Sequence, residues 1–236
     1  MYKRQISRTK ITGHQVGDTL RPKHLAIELS KLTPHPQHAV ELEQYATEGD
    51  LAAFFVLAID QLDIIKGKDV VDLGAGNGIL GIGCGILGAK NVTLIEGDRQ
   101  VCDIAQHNAT VIMTRYDCNI TALNHMIGLN QNPDNLPCDI VIMNPPWGFQ
   151  SSKADRPLLE YGFKLKPKVV YVIHSANATH LEQLGKANGY DCEVVFESNF
   201  RLPARYQHQS RRMSETEVKC WRFHKPDDGQ ISKIEN

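Results

Sequence analysis

The feature that most restricts the fold is a short segment that reads as a buried strand, Lys68 to Leu73, which closes on Asp72-Leu73-Gly74-Ala75-Gly76-Asn77-Gly78 and passes directly into Ile79 to Leu87. A strand followed at once by a helix in this way is expected to lie inside a parallel sheet, buried on both faces. Glycines at three alternate positions then let the chain turn sharply and bring its main chain against a ligand. Gly81, Gly83 and Gly85 allow the next stretch to pack as a helix with close backbone approach. The same order of strand then helix recurs. Val92 to Ile95 reads as a strand, Arg99 to Ala109 as a helix, and Val111 to Thr114 as a third strand. Asp139 to Met143 and Val169 to His174 are strands, separated by a loop over 129–137 and a helix near Leu158 to Lys164. A helix from Ala178 to Asn188 and strands near Cys192 to Phe196 and Glu217 to Phe223 follow. Ahead of the first strand lie helices from His24 to Leu32 and from Asp50, a plausible N-cap, to Ile65. Repeated βα units imply a parallel sheet covered by helices on both faces. Ligands of such sheets bind beyond the carboxyl ends of the strands, where the strand order reverses.

Three features carry chemistry at strand ends. The glycine spacing Gly-x-Gly-x-Gly, with Asp72 ahead of it, departs from the Gly-x-Gly-x-x-Gly of dinucleotide sites. It suits a nucleoside bearing an amine and a carboxylate; the alternative is a tight structural turn. Glu96 ends the next strand, twenty residues after Gly76, where a carboxylate can accept both ribose hydroxyls; a solvated strand-end acid is the alternative. Asp98 is expected to cap the following helix. Asp117 is weighed evenly between an adenine contact and a surface role. The third feature, Asn144-Pro145-Pro146-Trp147, decides the chemistry. Two prolines stiffen the backbone and exclude helix there. They hold an amide oxygen and a carbonyl as fixed acceptors for an exocyclic aromatic amine, with Trp147 placed to stack the base. His174 reads as a satisfied structural histidine.

Charge and cysteine usage bound the remaining choices. With 26 basic and 27 acidic residues, bulk charge advertises no nucleic-acid partner. The cations are nevertheless clustered, seven within 1–40 and seven within 201–225. Arg201, Arg205, Arg211 and Arg212, interleaved with Tyr206 and His208, suit RNA phosphates and unstacked bases; a solvated loop is the alternative. Six cysteines without a Cys-x-x-Cys pair read as free thiols in a reducing cytoplasm. The longest apolar run, Leu51 to Ile59, is far short of the ~20 residues that span a bilayer, so no membrane partner is expected.

Taken in chain order, five segments resemble a known family. They are Leu42-Glu43-Gln44-Tyr45-Ala46-Thr47, Asp72 to Gly78, Val141 to Gly148, Val170 to His174, and Leu202-Pro203-Ala204-Arg205-Tyr206. The chain is similar to the archaeal and eukaryotic methyltransferase-like family that makes N6-methyladenosine in small-subunit ribosomal RNA. The resemblance spans roughly residues 20–224. It implies a single class I (Rossmann-like) methyltransferase domain of α/β class, with a mostly parallel seven-stranded sheet and an antiparallel last strand. It implies S-adenosylmethionine as cofactor, with Gln44, Tyr45 and Thr47 closing over it beside the residues read above as a cofactor site, Asp72, Gly74, Gly76, Gly78, Glu96 and Asp117. It implies that Asn144, Pro145 and Trp147 hold the target adenine, with Pro146 stiffening the motif; the basic segment read above adds Arg205, Tyr206, Arg211 and Arg212 as the RNA contacts. The family also implies a small zinc-binding activator subunit over an apolar edge; Leu51 to Leu62 and the strand at 92–95 are the surfaces considered. The sequence has Ala46, Trp147 and Ser175 where the family usually has Pro, Phe and Lys. No metal is expected in the chain itself. A protein-glutamine N5 methyltransferase and a non-catalytic RNA-binding module are the rival functions. Residues 1–19 form a polar extension and 225–236 a polar tail. Met1-Tyr2-Lys3-Arg4-Gln5 reads as a translated sequencing-adapter end and is expected to be non-native.

Overall fold

A computed structural model describes residues 22–34, 49–129, 131–146, 154–201 and 215–226. The elements run α1 (Pro22–Ser30), α2 (Gly49–Asp63), β1 (Asp69–Leu73), α3 (Ile79–Ile86), β2 (Asn91–Glu96), α4 (Arg99–Met113) and β3 (Ile120–Asn124). They continue with β4 (Ile140–Met143), α5 (Arg156–Lys164), β5 (Val169–Ser175), α6 (His180–Ala187), β6 (Asp191–Arg201) and β7 (Glu215–His224). The strands form one seven-stranded sheet in the order β3-β2-β1-β4-β5-β7-β6. All pairs from β3 to β5 are parallel; β7 is antiparallel to both of its neighbours. The mostly parallel sheet with an antiparallel last strand is therefore present. Its order reverses between β1 and β4.

Alternate residues of the strands feed two cores. Val70, Leu94, Ile142 and Tyr171 pack under α1 to α4. Val71, Leu73, Ile95, Val141 and Val172 pack under α5 and α6. Burial on both faces is why these strands read as continuous apolar runs rather than alternating ones. The glycines of α3 let it lie against its neighbours: a Cβ at Gly81 would stand 2.3 Å from Leu94 Cδ2, and one at Gly85 would stand 2.7 Å from Ile120 Cδ1. At the far end of the sheet, Arg222 of β7 donates twice to Asp63 at the end of α2, 2.8 Å each, and once to Glu193 of β6, 2.8 Å. Tyr171 donates to the same Asp63 carboxylate. Removing one partner from a buried, hydrogen-bonded ion pair of this kind costs about 3–5 kcal/mol.

Three expectations are corrected. The segment 111–114 is not a strand: α4 continues to Met113, because Ile112 stands on the buried face shared with Val101, Ala105, Asn108 and Ala109. The third strand instead begins at Ile120. Asp50 is not an N-cap, since α2 already includes Gly49 and Asp50 falls in its first turn. A side chain at 49 would collide with α1, its Cβ 2.2 Å from Ser30 Oγ. Nor is 92–95 a docking edge. β2 lies inside the sheet, with Val92, Leu94 and Ile95 at 1% exposure or less, whereas α2 buries Ala52, Phe55, Val56 and Ile59 and leaves Phe54 and Leu62 exposed. Among the described residues no helix is long and apolar enough to cross a membrane, and all six cysteines are free.

Candidate active site

The site is built at the reversal point. β1 and β4 run in parallel register with Leu73 opposite Met143, so Gly74 and Asn144, one residue further on, leave the sheet side by side. On the other side of β1, Leu73 pairs with Ile95, which brings Glu96 beside Gly74. Glu96 in turn pairs with Asn124 of β3. Four strand ends thus align Asn144, Gly74, Glu96 and Asn124. At about 4.8 Å per strand the row is about 14 Å long, long enough for an extended nucleoside with an amino-acid arm.

The loop after β1 is shaped by three left-handed glycines, with φ of +67° at Gly74, +57° at Gly76 and +86° at Gly78. Residues with a Cβ pay steeply for this region. Gly78 is the residue from which α3 starts. The amides of Gly74 and Ala75 donate to Ile95 O, and that of Gly76 donates to Glu96 Oε2 at 2.9 Å. Glu96 is 5% exposed, and its other oxygen accepts from Asp98 N at 2.9 Å. Two main-chain donors therefore fix this carboxylate at the strand end. Asp98 accepts from Gln100 N and Val101 N, which bears out its role as the cap of α4. Asn108 of α4 binds both Thr33 O and Asn77 O at 3.0 Å and accepts from Thr33 N. It fastens the chain leaving α1 to the glycine loop, just ahead of the segment that carries Gln44, Tyr45 and Thr47. Those three residues lie outside the described part, as do Trp147, Arg205, Tyr206, Arg211 and Arg212.

Two of the residues singled out in the sequence occupy other positions. Asp72 lies under the loop rather than at its surface: it is 1% exposed, and its Oδ2 accepts from Gly81 N of α3 at 2.8 Å. Its Oδ1 has no hydrogen-bond partner among the described residues. Burial, together with the nearby Glu96 charge, raises this carboxyl to about 7 despite the Gly81 bond. The folded chain therefore keeps a proton that the unfolded chain releases near pH 4. Stability should fall as pH rises across that window and level off above about 7. Asp72→Asn, which cannot ionise, should flatten the fall; scanning calorimetry over a pH series checks it, and an unchanged slope would contradict it. Asp117 stands exposed three residues before β3, at the amino end of that strand and away from the row of carboxyl ends. It cannot meet an adenine held beside Glu96. Asn124 stands there instead, donating to Glu96 O and Gly97 O at 3.0 and 3.1 Å, followed by His125, whose amide donates to Glu96 O.

Asn144 is half-buried and Pro145 buried at the end of β4. Beyond them, β5 pairs Val172 with Met143; two residues on, His174 comes beside Pro145. His174 is buried and partnered by Asp155, Nε2 to Oδ2 3.2 Å, as a structural histidine would be. The sequence reading missed that Asp155 also meets His180 Nε2, at 2.6 Å. Burial of Asp155 opposes its charge, but the hydrogen bonds from His174 and His180 outweigh it and hold the carboxyl below its usual range.

A sheet that reverses between β1 and β4, a glycine loop at the reversal and an antiparallel β7 define the class I methyltransferase fold. Within that class, the chain belongs to the family described as Conserved hypothetical protein 95, matched over residues 51–198. An uncharacterized protein of Methanocaldococcus jannaschii is 31% identical over 216 residues, 87% of this chain and 95% of that one. The rRNA N(6)-adenosine-methyltransferase Mettl5 of Drosophila melanogaster is 29% identical, covering 79% and 88% of the two chains. The crystal structure of a candidate RNA methyltransferase from Pyrococcus horikoshii aligns with a TM-score of 0.74 at 32% identity, covering 87% of this chain and 96% of that one.

Proposed function

We propose that the chain is an S-adenosylmethionine-dependent methyltransferase acting on the exocyclic amine of adenosine in RNA, with small-subunit ribosomal RNA as the substrate. One observation carries the reading: Asn144, Gly74, Glu96 and Asn124 form a single row across four strand ends. The cofactor fits that row. Left-handed glycines bring main chain against the amino-acid arm, the doubly anchored Glu96 accepts the ribose hydroxyls, and the adenine falls at the end of β3 by Asn124. S-adenosylmethionine supplies an electrophilic methyl on a good leaving group. The protein's task is then alignment rather than activation. Asn144 Oδ1 and the Pro145 carbonyl accept the two N–H groups of the target amine and direct its lone pair at the methyl. Those bonds strengthen as positive charge grows on nitrogen. The methylated amine sheds its proton without a strong base. Trp147 stacks the base, Gln44, Tyr45 and Thr47 close over the cofactor, and Arg205, Tyr206, Arg211 and Arg212 draw in the RNA.

The adenosine target is supported by relatives from fly, zebrafish and worm that are named rRNA N(6)-adenosine-methyltransferases. The free thiols support a cytoplasmic location. The resemblance to the rRNA methyltransferase family also calls for a zinc-binding activator subunit. The outer edge of β3 is open to it among the described residues, with Met126 and Leu129 exposed nearby. Ribosomal RNA incubated with the enzyme and labelled cofactor, then digested to nucleosides, should yield N6-methyladenosine by mass spectrometry. Label on a nucleoside other than N6-methyladenosine, or no label on the RNA even with the activator subunit present, would overturn the reading.

A further inference from the structure

We propose that Asp155, His174 and His180 form a binding site for a divalent transition metal of the zinc type. The three come from different elements: Asp155 precedes α5, His174 is the penultimate residue of β5, and His180 opens α6. Asp155 Oδ2 is 3.2 Å from His174 Nε2 and 2.6 Å from His180 Nε2. The two imidazole rings stand 5.5 Å apart at 82°. One donor atom from each residue lies within 4.8 Å of the others. A tetrahedral ion with bonds of 2.0–2.1 Å separates its ligand atoms by about 3.3 Å, so small side-chain shifts bring all three into range.

Two imidazoles and one carboxylate are the donors of three-ligand zinc sites, which leave the fourth position to water. The nitrogen donors disfavour magnesium and calcium, which select oxygen. Burial fits the same picture: the Asp155 and His174 side chains are 6% and 3% exposed, whereas His180 is 52% exposed and opens the site to solvent. Without an ion, the hydrogen bonds to Asp155 hold the donors converged. With one, the protons of those bonds give way to the metal. The ion would tie the starts of α5 and α6 to β5, beside Pro145. The site belongs to this chain's own residues and stands whether or not the substrate is RNA.

The test uses the full chain, stripped with a chelator and titrated with Zn²⁺ against a chromophoric competitor, with Co²⁺ as a spectroscopic stand-in. The wild type should take up about one ion per chain and give the visible absorption of tetrahedral cobalt. His180→Ala and Asp155→Asn should each bind at least about 100-fold more weakly, since loss of supporting residues alone costs about 10–100-fold. His180 is half-exposed, so its variant should keep a wild-type circular dichroism spectrum. Zn²⁺ should raise the thermal midpoint of the wild type but not of His180→Ala. A wild type that takes up no ion would overturn the site. So would uptake that is equal in the wild type and both variants, because other residues would then hold the metal.

Discussion

Asn144→Ala should slow single-turnover methyl transfer by about 10²–10³-fold while leaving S-adenosylmethionine affinity within a few-fold of wild type. The substitution removes one positioned acceptor from the amine at the moment its charge develops, a loss worth about 2.7–4 kcal/mol. Cofactor affinity is spared because Asn144 sits at the end of β4, whereas the loop and Glu96 that would hold the cofactor hang from β1 and β2. Rapid-quench transfer from labelled cofactor checks the rate, and calorimetry checks the affinity. A rate within a few-fold of wild type would remove Asn144 from the chemistry.

Gly76→Val should separate the two quantities the other way, with cofactor affinity falling on the order of 10²–10³-fold. Gly76 stands at φ +57°, and its amide is one of the two donors that anchor Glu96. A β-branched residue in the left-handed region costs at least about 1–2 kcal/mol. Valine keeps the main-chain amide, but a loop that shifts to relieve the strain draws it away from Glu96, at a cost of about 1.5–3 kcal/mol more. The change is confined to one loop, so the chain should still fold, with the thermal midpoint lowered by about 5–20 °C. Calorimetry that finds near-normal affinity in the folded variant would contradict the loop assignment.

What was readable from sequence follows the range of the interactions involved. The glycine loop, the Asp98 cap and Asn144-Pro145 are local chemistry, in which the residue type dictates the backbone it needs, and each stands at the strand end or helix start expected of it. The strand-end position of Glu96 is legible because a parallel βα unit has a nearly fixed length. The end of α4 was misjudged because Val111-Ile112-Met113 satisfies a strand and a helix equally well. Only packing of Ile112 on the face of Ala105, Asn108 and Ala109 decides between them. β3 gave almost no apolar signal, since in Ile120–Asn124 only Ile120 is buried. A third strand read at 111–114 puts Asp117 at its carboxyl end, whereas the strand at Ile120–Asn124 leaves Asp117 exposed at the amino end and puts Asn124 at the other. Asp155, His174 and His180 are 19 and 25 residues apart in the contacts they make. No local motif announces such a meeting; it exists only once α5, β5 and α6 have packed. The burial of Asp72 is not legible in the sequence, because a polar residue near a strand's end faces the ligand or the core according to a single turn of the pleat.

The row of strand ends is the central claim, and a crystal structure of the chain with S-adenosylhomocysteine tests it most directly. The ribose hydroxyls should lie within hydrogen-bond distance of Glu96, about 2.6–3.2 Å. The adenine should rest beside Asn124 and His125 at the end of β3. The sulfur should point along the row towards Asn144. A ligand lying elsewhere on the sheet, or reversed so that its adenine meets β4, would contradict the account.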